Sequence, residues 1–113
     1  MLKKVNLLQA ANNAVLFEYL NIGQFNGHAL SVLQAENRTL DFHVHERSDE
    51  LFYVIEGRFD IELDDGLVPF AQGDLLIIPK GTRHRPVVTS RVKCLLMELE
   101  GTLDAENTGG AVA

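Results

Sequence analysis

The stretch Asp41–Gly57, DFHVHERSDELFYVIEG, sets two histidines two residues apart and a glutamate five residues after the second, within an otherwise apolar run. Alternate residues of a strand share a face, with Cα atoms about 6.6–6.8 Å apart. Two imidazoles leaning together from that spacing can each bring a nitrogen to about 2.1 Å from one ion. His43 and His45 therefore read as a two-point clamp on a strand. Glu50 follows a polar four-residue connection, ERSD, long enough to reverse the chain, and it opens the next strand beside the pair.

Parity sorts the rest of the stretch. Asp41, His43 and His45 fall on one face and Leu40, Phe42 and Val44 on the other. In the following strand Glu50, Phe52 and Val54 share a face, and Leu51, Tyr53 and Ile55 share its opposite. Neither strand has a wet face. One face of each is expected to look into a closed interior and the other to pack on a neighbouring sheet or a second subunit. A homodimer covering Leu40, Phe42 and Val44 is the expectation.

The surrounding chain has the punctuation of an all-β protein. Turn signals recur at Asn26-Gly27, Asn37-Arg38, Asp65-Gly66, Gln72-Gly73-Asp74 and Pro79-Lys80-Gly81, with short Val-, Ile-, Leu- and Phe-rich runs between them. QFNGHAL predicts a hairpin about Asn26-Gly27. In RFDIELDDGLVPF, Phe59, Ile61 and Leu63 alternate with Arg58, Asp60 and Glu62, and Asp65-Gly66 is expected to turn the chain back. LLIIP (75–79) and VKCLLMELE (92–100) are apolar on both faces and read as central strands. Residues 1–15 read as a short helix or an arm, and the Gly-, Ala- and Asn-rich tail 102–113 as loosely held.

Many short antiparallel strands in about 100 residues must close on themselves or pack as two sheets, because an open sheet exposes long edges. The expected architecture is a jelly-roll barrel of two antiparallel sheets, the whole of 1–113 forming one domain. A net charge of −6 and no basic run longer than Lys3-Lys4 argue against nucleic acid and anionic membranes as partners. No apolar window approaches a membrane span. No secretory leader is evident, and the single cysteine, Cys94, fits a reducing compartment; a cytoplasmic protein is expected.

Two further histidines remain as candidate ligands, His28 and His84. His84 ends GDLLIIPKGTRH, where Gly81 allows a tight reversal that can swing the imidazole back over the sheet; His28 has no partner at ligand spacing. Together these segments resemble the cupin superfamily, whose first motif is written G-x5-H-x-H-x3,4-E-x6-G. Here His43, His45, Glu50 and Gly57 are in spacing, with Asn37 at the opening glycine. The second motif, G-x5-P-x-G-x2-H-x3-N, is met by Gly73, Pro79, Gly81 and His84, with Val88 at its last position. The NG and NTG (107–109) elements add a fainter likeness to a mannose-6-phosphate-isomerase-like subgroup.

The resemblance implies a double-stranded β-helix in which His43, His45, Glu50 and His84 hold one divalent ion. Their mixed donors suit Fe(II), Mn(II), Ni(II), Zn(II) or Cu(II), and leave positions open for a substrate. The implied function is a metalloenzyme acting on a sugar, sugar phosphate or oxygenated acid, as an isomerase or dioxygenase, with Glu50 the one candidate base. The alternatives are a non-catalytic metal or small-ligand binding module, or a structural dimer with a vestigial site. Arg83 and Arg85 read as solvated turn charges or as anion binders at the mouth, Tyr53 as facing away from the ligands, and Cys94 as a small buried residue.

Overall fold

The computed structural model describes residues 2–102. One helix, α1 (Leu7–Asn13), precedes nine strands: β1 (Leu20–Phe25), β2 (His28–Ala35), β3 (Arg38–Thr39), β4 (Glu50–Glu56), β5 (Arg58–Leu63), β6 (Gly66–Ala71), β7 (Leu75–Ile78), β8 (Arg85–Val88) and β9 (Val92–Leu99). They form two antiparallel sheets, ordered β1-β2-β9-β4-β7 and β3-β8-β5-β6. The expected double-stranded β-helix is therefore present. Phe52, Val54, Cys94 and Leu96 of the larger sheet meet Phe59, Ile61 and Val88 of the smaller to make the core between them.

Local chemistry accounts for most of the connections. Asn26 and Gly27 both take left-handed φ values, +49° and +79°, and join β1 to β2 in a two-residue hairpin. In the next hairpin the loop is Asp64-Asp65, one residue earlier than expected, and Gly66 already pairs with Leu63 at φ +150°. Asn37 stands where the cupin motif has glycine and adopts φ +47°, as its short amide side chain permits. Phe59 and Ile61 point into the core as period two required.

The N-terminal segment is helical. Asn6 caps α1 by accepting a hydrogen bond from the Gln9 N–H. Ala11 is fully buried and packs with Val32 on the outer face of the larger sheet, alongside Ile22, Ile55 and Leu95. Apolar burial on the sheet, rather than intrinsic propensity, holds so short a helix.

Three expectations are corrected. The 40–45 segment is not a regular strand: past Arg38–Thr39 it makes only a bridge from His43 to His84. Leu40 N–H donates to the Pro86 carbonyl, but proline has no N–H to return. Between that contact and the His43–His84 bridge the register moves by one residue, as in a bulge. Parity flips with it, so that Leu40 is buried with the histidines while Asp41 is exposed.

The second correction concerns the cover over Phe42. Its ring lies between the Arg83 and Arg85 guanidinium groups, 3.9 and 4.3 Å from its centroid, so this chain's own arginines cover it. Arg83 is in turn paired with Asp64 at 2.6 Å and Arg85 with Glu62 at 2.7 Å. The third correction is to β7, which is an edge strand: Leu75 and Ile77 are 57% and 54% exposed. β9 is central, as expected, between β2 and β4. The tail beyond Thr102, including 107–109, lies outside the described residues.

Candidate metal centre

His43 reaches the interior through the bulge and is pinned to His84 by reciprocal backbone hydrogen bonds of 3.0 and 3.1 Å. Two residues on, the His45 carbonyl accepts from Gly81 N–H at 2.8 Å, which ties the end of the clamp to the reversal carrying His84. The 46–49 connection is anchored twice. Ser48 Oγ accepts from Leu99 N–H, and Asp49 Oδ1 from Lys80 N–H, each at 2.9 Å. Glu50 then opens β4 pointing inward. Three separate segments thus deliver four side chains to one point.

All four residues are buried, and one ligand atom from each lies within 4.8 Å of all the others. The imidazole centroids are 4.4 to 5.6 Å apart. Glu50 Oε1 stands 3.2 Å from His84 Nε2 and 3.3 Å from His45 Nε2. His43 Nδ1 is 2.9 Å from the Asp41 carbonyl, and His84 Nδ1 is 2.8 Å from the Thr82 carbonyl. A carbonyl only accepts, so Nδ1 carries the hydrogen in both rings; the His43 Nε2 lone pair is left for another partner, and His84 Nε2 faces Glu50 Oε1 at hydrogen-bond distance.

The remaining ring tests whether an ion fits. His45 is 3% exposed, yet neither of its nitrogens has a hydrogen-bond partner among the described residues. Its approach to Glu50 is close but lacks hydrogen-bond geometry. Buried polar atoms are nearly always satisfied, and a cation at the meeting point would satisfy one of the two nitrogens. Three imidazoles and one carboxylate can hold a divalent metal ion.

The charges agree with that use. Burial works against ionising Glu50, but the imidazoles of His45 and His84 outweigh it and hold the carboxyl at about 2. Burial lowers the pKa of His43, favouring the neutral ring that a metal binds. On β9, Glu98 is 2% exposed, next to the Leu51–Met97 pair and so beside Glu50. Burial first, and then the Glu50 charge, push its carboxyl up to about 8, and its Oε2 has no hydrogen-bond partner among the described residues.

Above the cluster opens a cavity of about 600 Å3, counted out to its mouth. His43, His45 and Glu50 line one part of it, and the walls are otherwise almost wholly apolar. His84 is fully buried behind the lining. Cys94 faces the cavity with its thiol pushed up to about 12 by burial, which makes it inert at neutral pH. His28 stands apart, with Nδ1 at 3.2 Å from the Asn26 carbonyl.

Sequence reasoning missed Glu98, Tyr19 and Arg38. Glu98 had a signal, since Val92, Cys94 and Leu96 share its parity and all are buried. Tyr19 and Arg38 line the cavity but carry no such mark.

A jelly roll with this constellation defines the class, and the sequence comparisons agree with it. The Cupin_2 model of the cupin domain matches residues 29–103, and the chain belongs to that family. It is 41% identical over 90 residues to YdbB of Bacillus subtilis (strain 168), covering 75% of this chain and 76% of that protein. It is 30% identical over 66 residues to the polyketide synthase CurC of Streptomyces cyaneus, covering 58% of this chain but only 43% of that one. A cupin-2 domain containing protein from Shewanella frigidimarina shares the fold, with a TM-score of 0.79 at 24% identity over 85% of this chain and 94% of that one. The family is shown at the level of the cupin-2 domain, not at that of the mannose-6-phosphate-isomerase-like subgroup.

Proposed function

We propose that His43, His45, Glu50 and His84 hold one divalent metal ion and that the protein is a metalloenzyme acting on a small molecule bound in the cavity above it. The observation that carries this reading is the buried His45 ring, both of whose nitrogens lack hydrogen-bond partners among the described residues at the point where three other donors converge. When bound, the ion supplies Lewis-acid polarisation of a substrate oxygen, or redox chemistry if it is iron. The chain's own part is to offset half of the ion's charge with one carboxylate, hold it with three rings and surround the substrate with apolar walls.

A carboxylate held near 2 is a weak base at neutral pH. We therefore assign Glu50 to ligation, and an isomerase reading that needs it as base is the less favoured. The same observation favours, as the second reading, a non-catalytic small-ligand binder. The resemblance to CurC supports a role in small-molecule chemistry. A cytoplasmic setting is proposed from the lone free thiol; no helix among the described residues is long and apolar enough to cross a membrane.

Metal analysis of protein purified without added metal, repeated after loading, tests the reading. Wild type is expected to bind one ion per chain. His45→Ala should weaken binding by more than the roughly 10–100-fold typical of losing an outer-sphere partner. Wild-type protein that carries no metal and takes none up would overturn it. Turnover of an oxygen-consuming or isomerising substrate by the loaded protein separates enzyme from binder.

A further inference from the structure

The connection from α1 to β1 holds a conformation that a bulky residue rarely adopts. Phe17 sits at φ +67°, in the left-handed region, where a side chain of its size is an outlier. The buried Gln34 keeps it there. Gln34 Nε2 donates to the Ala14 carbonyl at 3.0 Å, and the Gln34 carbonyl accepts from Phe17 N–H at 2.8 Å. Arg91 in turn donates to Gln34 Oε1 at 3.0 Å. Backbone strain of this kind persists only where the surroundings enforce it, and it clusters at functional sites.

The strained turn delivers Phe17 and Tyr19 together to the lining of the cavity. Leu20 pairs with Val32, which packs under α1, so Tyr19 takes the opposite parity and points inward with Leu33. There it shares the lining with His43, His45 and Glu50, and its phenol feels the charges of Glu50 and Glu98. Burial first, and then those two carboxylates, raise its pKa, so the phenol keeps its hydrogen at neutral pH.

Tyr19 also brings the one hydroxyl among the described residues that line the cavity. Phenylalanine would fill the same apolar wall. What tyrosine adds is a single rotatable donor beside the metal cluster.

Resting on the metal-site reading above, we propose that Tyr19 is a further catalytic residue, whose hydroxyl donates a hydrogen bond to an anionic oxygen, of carboxylate or enolate type, on the ligand that occupies the cavity beside the metal centre. A donor already fixed where negative charge stands needs no reorganisation to meet it, which is how oxyanions are stabilised in apolar sites. The Gln34 clamp and the strain at Phe17 are what fix it.

Tyr19→Phe, loaded with cobalt(II) beside the wild type and titrated with acetate and with imidazole, tests this through the visible spectrum of the metal. Acetate has a second oxygen left to accept from Tyr19. Imidazole binds through its one lone pair and keeps only an N–H, which cannot accept. The variant should bind acetate at least about tenfold more weakly than the wild type and imidazole equally well, with cobalt content and melting temperature unchanged. Acetate bound as tightly by the variant, or acetate and imidazole weakened alike, overturns the proposal while the metal reading stands. Wild-type protein that takes up no cobalt overturns the metal reading and the proposal with it.

Discussion

Neither ring nitrogen of His45 has a hydrogen-bond partner among the described residues, although the side chain is buried. The carboxyl groups nearby make the same site sensitive to pH, in opposite directions. Glu50 is held at about 2, below its ordinary 4.5, so its contribution to stability is complete above 4.5 and is lost as pH falls towards 2. Glu98 is raised to about 8, so the native state holds its proton where the unfolded chain has lost it. Its contribution is present below 4.5 and is lost as pH rises through 8, with a slope of at most about 1.4 kcal/mol per pH unit. Urea denaturation of metal-free Glu98→Gln at pH 5, 7 and 9 is expected to show a flatter profile than wild type and higher stability at pH 9. An unchanged slope would show that Glu98 is not the group responsible. Gly57 is a residue of another kind. It sits at φ +88°, and an added Cβ would press against the Arg91 carbonyl oxygen. Gly57→Ala should cost about 1–3 kcal/mol in chemical denaturation, and a neutral result would mean that the Arg91 turn can yield.

At the scale of elements, the hairpins follow from their turn residues, whereas other segments depend on what packs against them. α1 has seven residues, with no acidic residue in its first turn and no basic one in its last. Its Asn6 cap and the burial of Ala11 therefore carry it. Asn6→Ala is expected to cost about 1 kcal/mol by thermal or chemical unfolding; no change would show that packing alone suffices. The 40–45 segment depends on Pro86, whose missing N–H ends the ladder and lets the register slip. That slip is why Leu40 lines the cavity and why Phe42 is met by Arg83 and Arg85. β7 owes its edge position to the topology: it pairs with β4 alone.

For the molecule as a whole, the question is what meets the outer face of the larger sheet. α1 covers one part of it. The other presents Leu75 and Ile77 on β7 beside Leu51, Tyr53 and Met97, all at odd-numbered positions directed away from the core. Exposed apolar surface beside an unpaired strand edge is an association hazard unless a partner covers it. The homodimer proposed here therefore uses this face, and not the Leu40–Phe42–Val44 side first expected. Sedimentation should find a wild-type dimer and an Ile77→Lys monomer of unchanged circular dichroism. A wild-type monomer at tens of micromolar would reject the dimer.

Sequence alone determined what depends on near neighbours. The Asn-Gly hairpin, the two-sided burial of β9 and the alternation in β5 were legible because turn chemistry and strand parity act over a few residues. The cluster of His43, His45, Glu50 and His84 was legible because its spacings match a known pair of motifs, even though the third imidazole comes from far along the chain. Tertiary structure decided the rest. The register slip at Leu40–His43 depends on a proline more than forty residues away, the helicity of α1 on a sheet face assembled from distant strands, and the edge position of β7 on the order of the sheet. The apolar cavity with Tyr19 and Arg38 in its lining exists only once the two sheets close. Local chemistry sets conformations a few residues at a time, whereas burial belongs to surfaces that only the folded chain brings together.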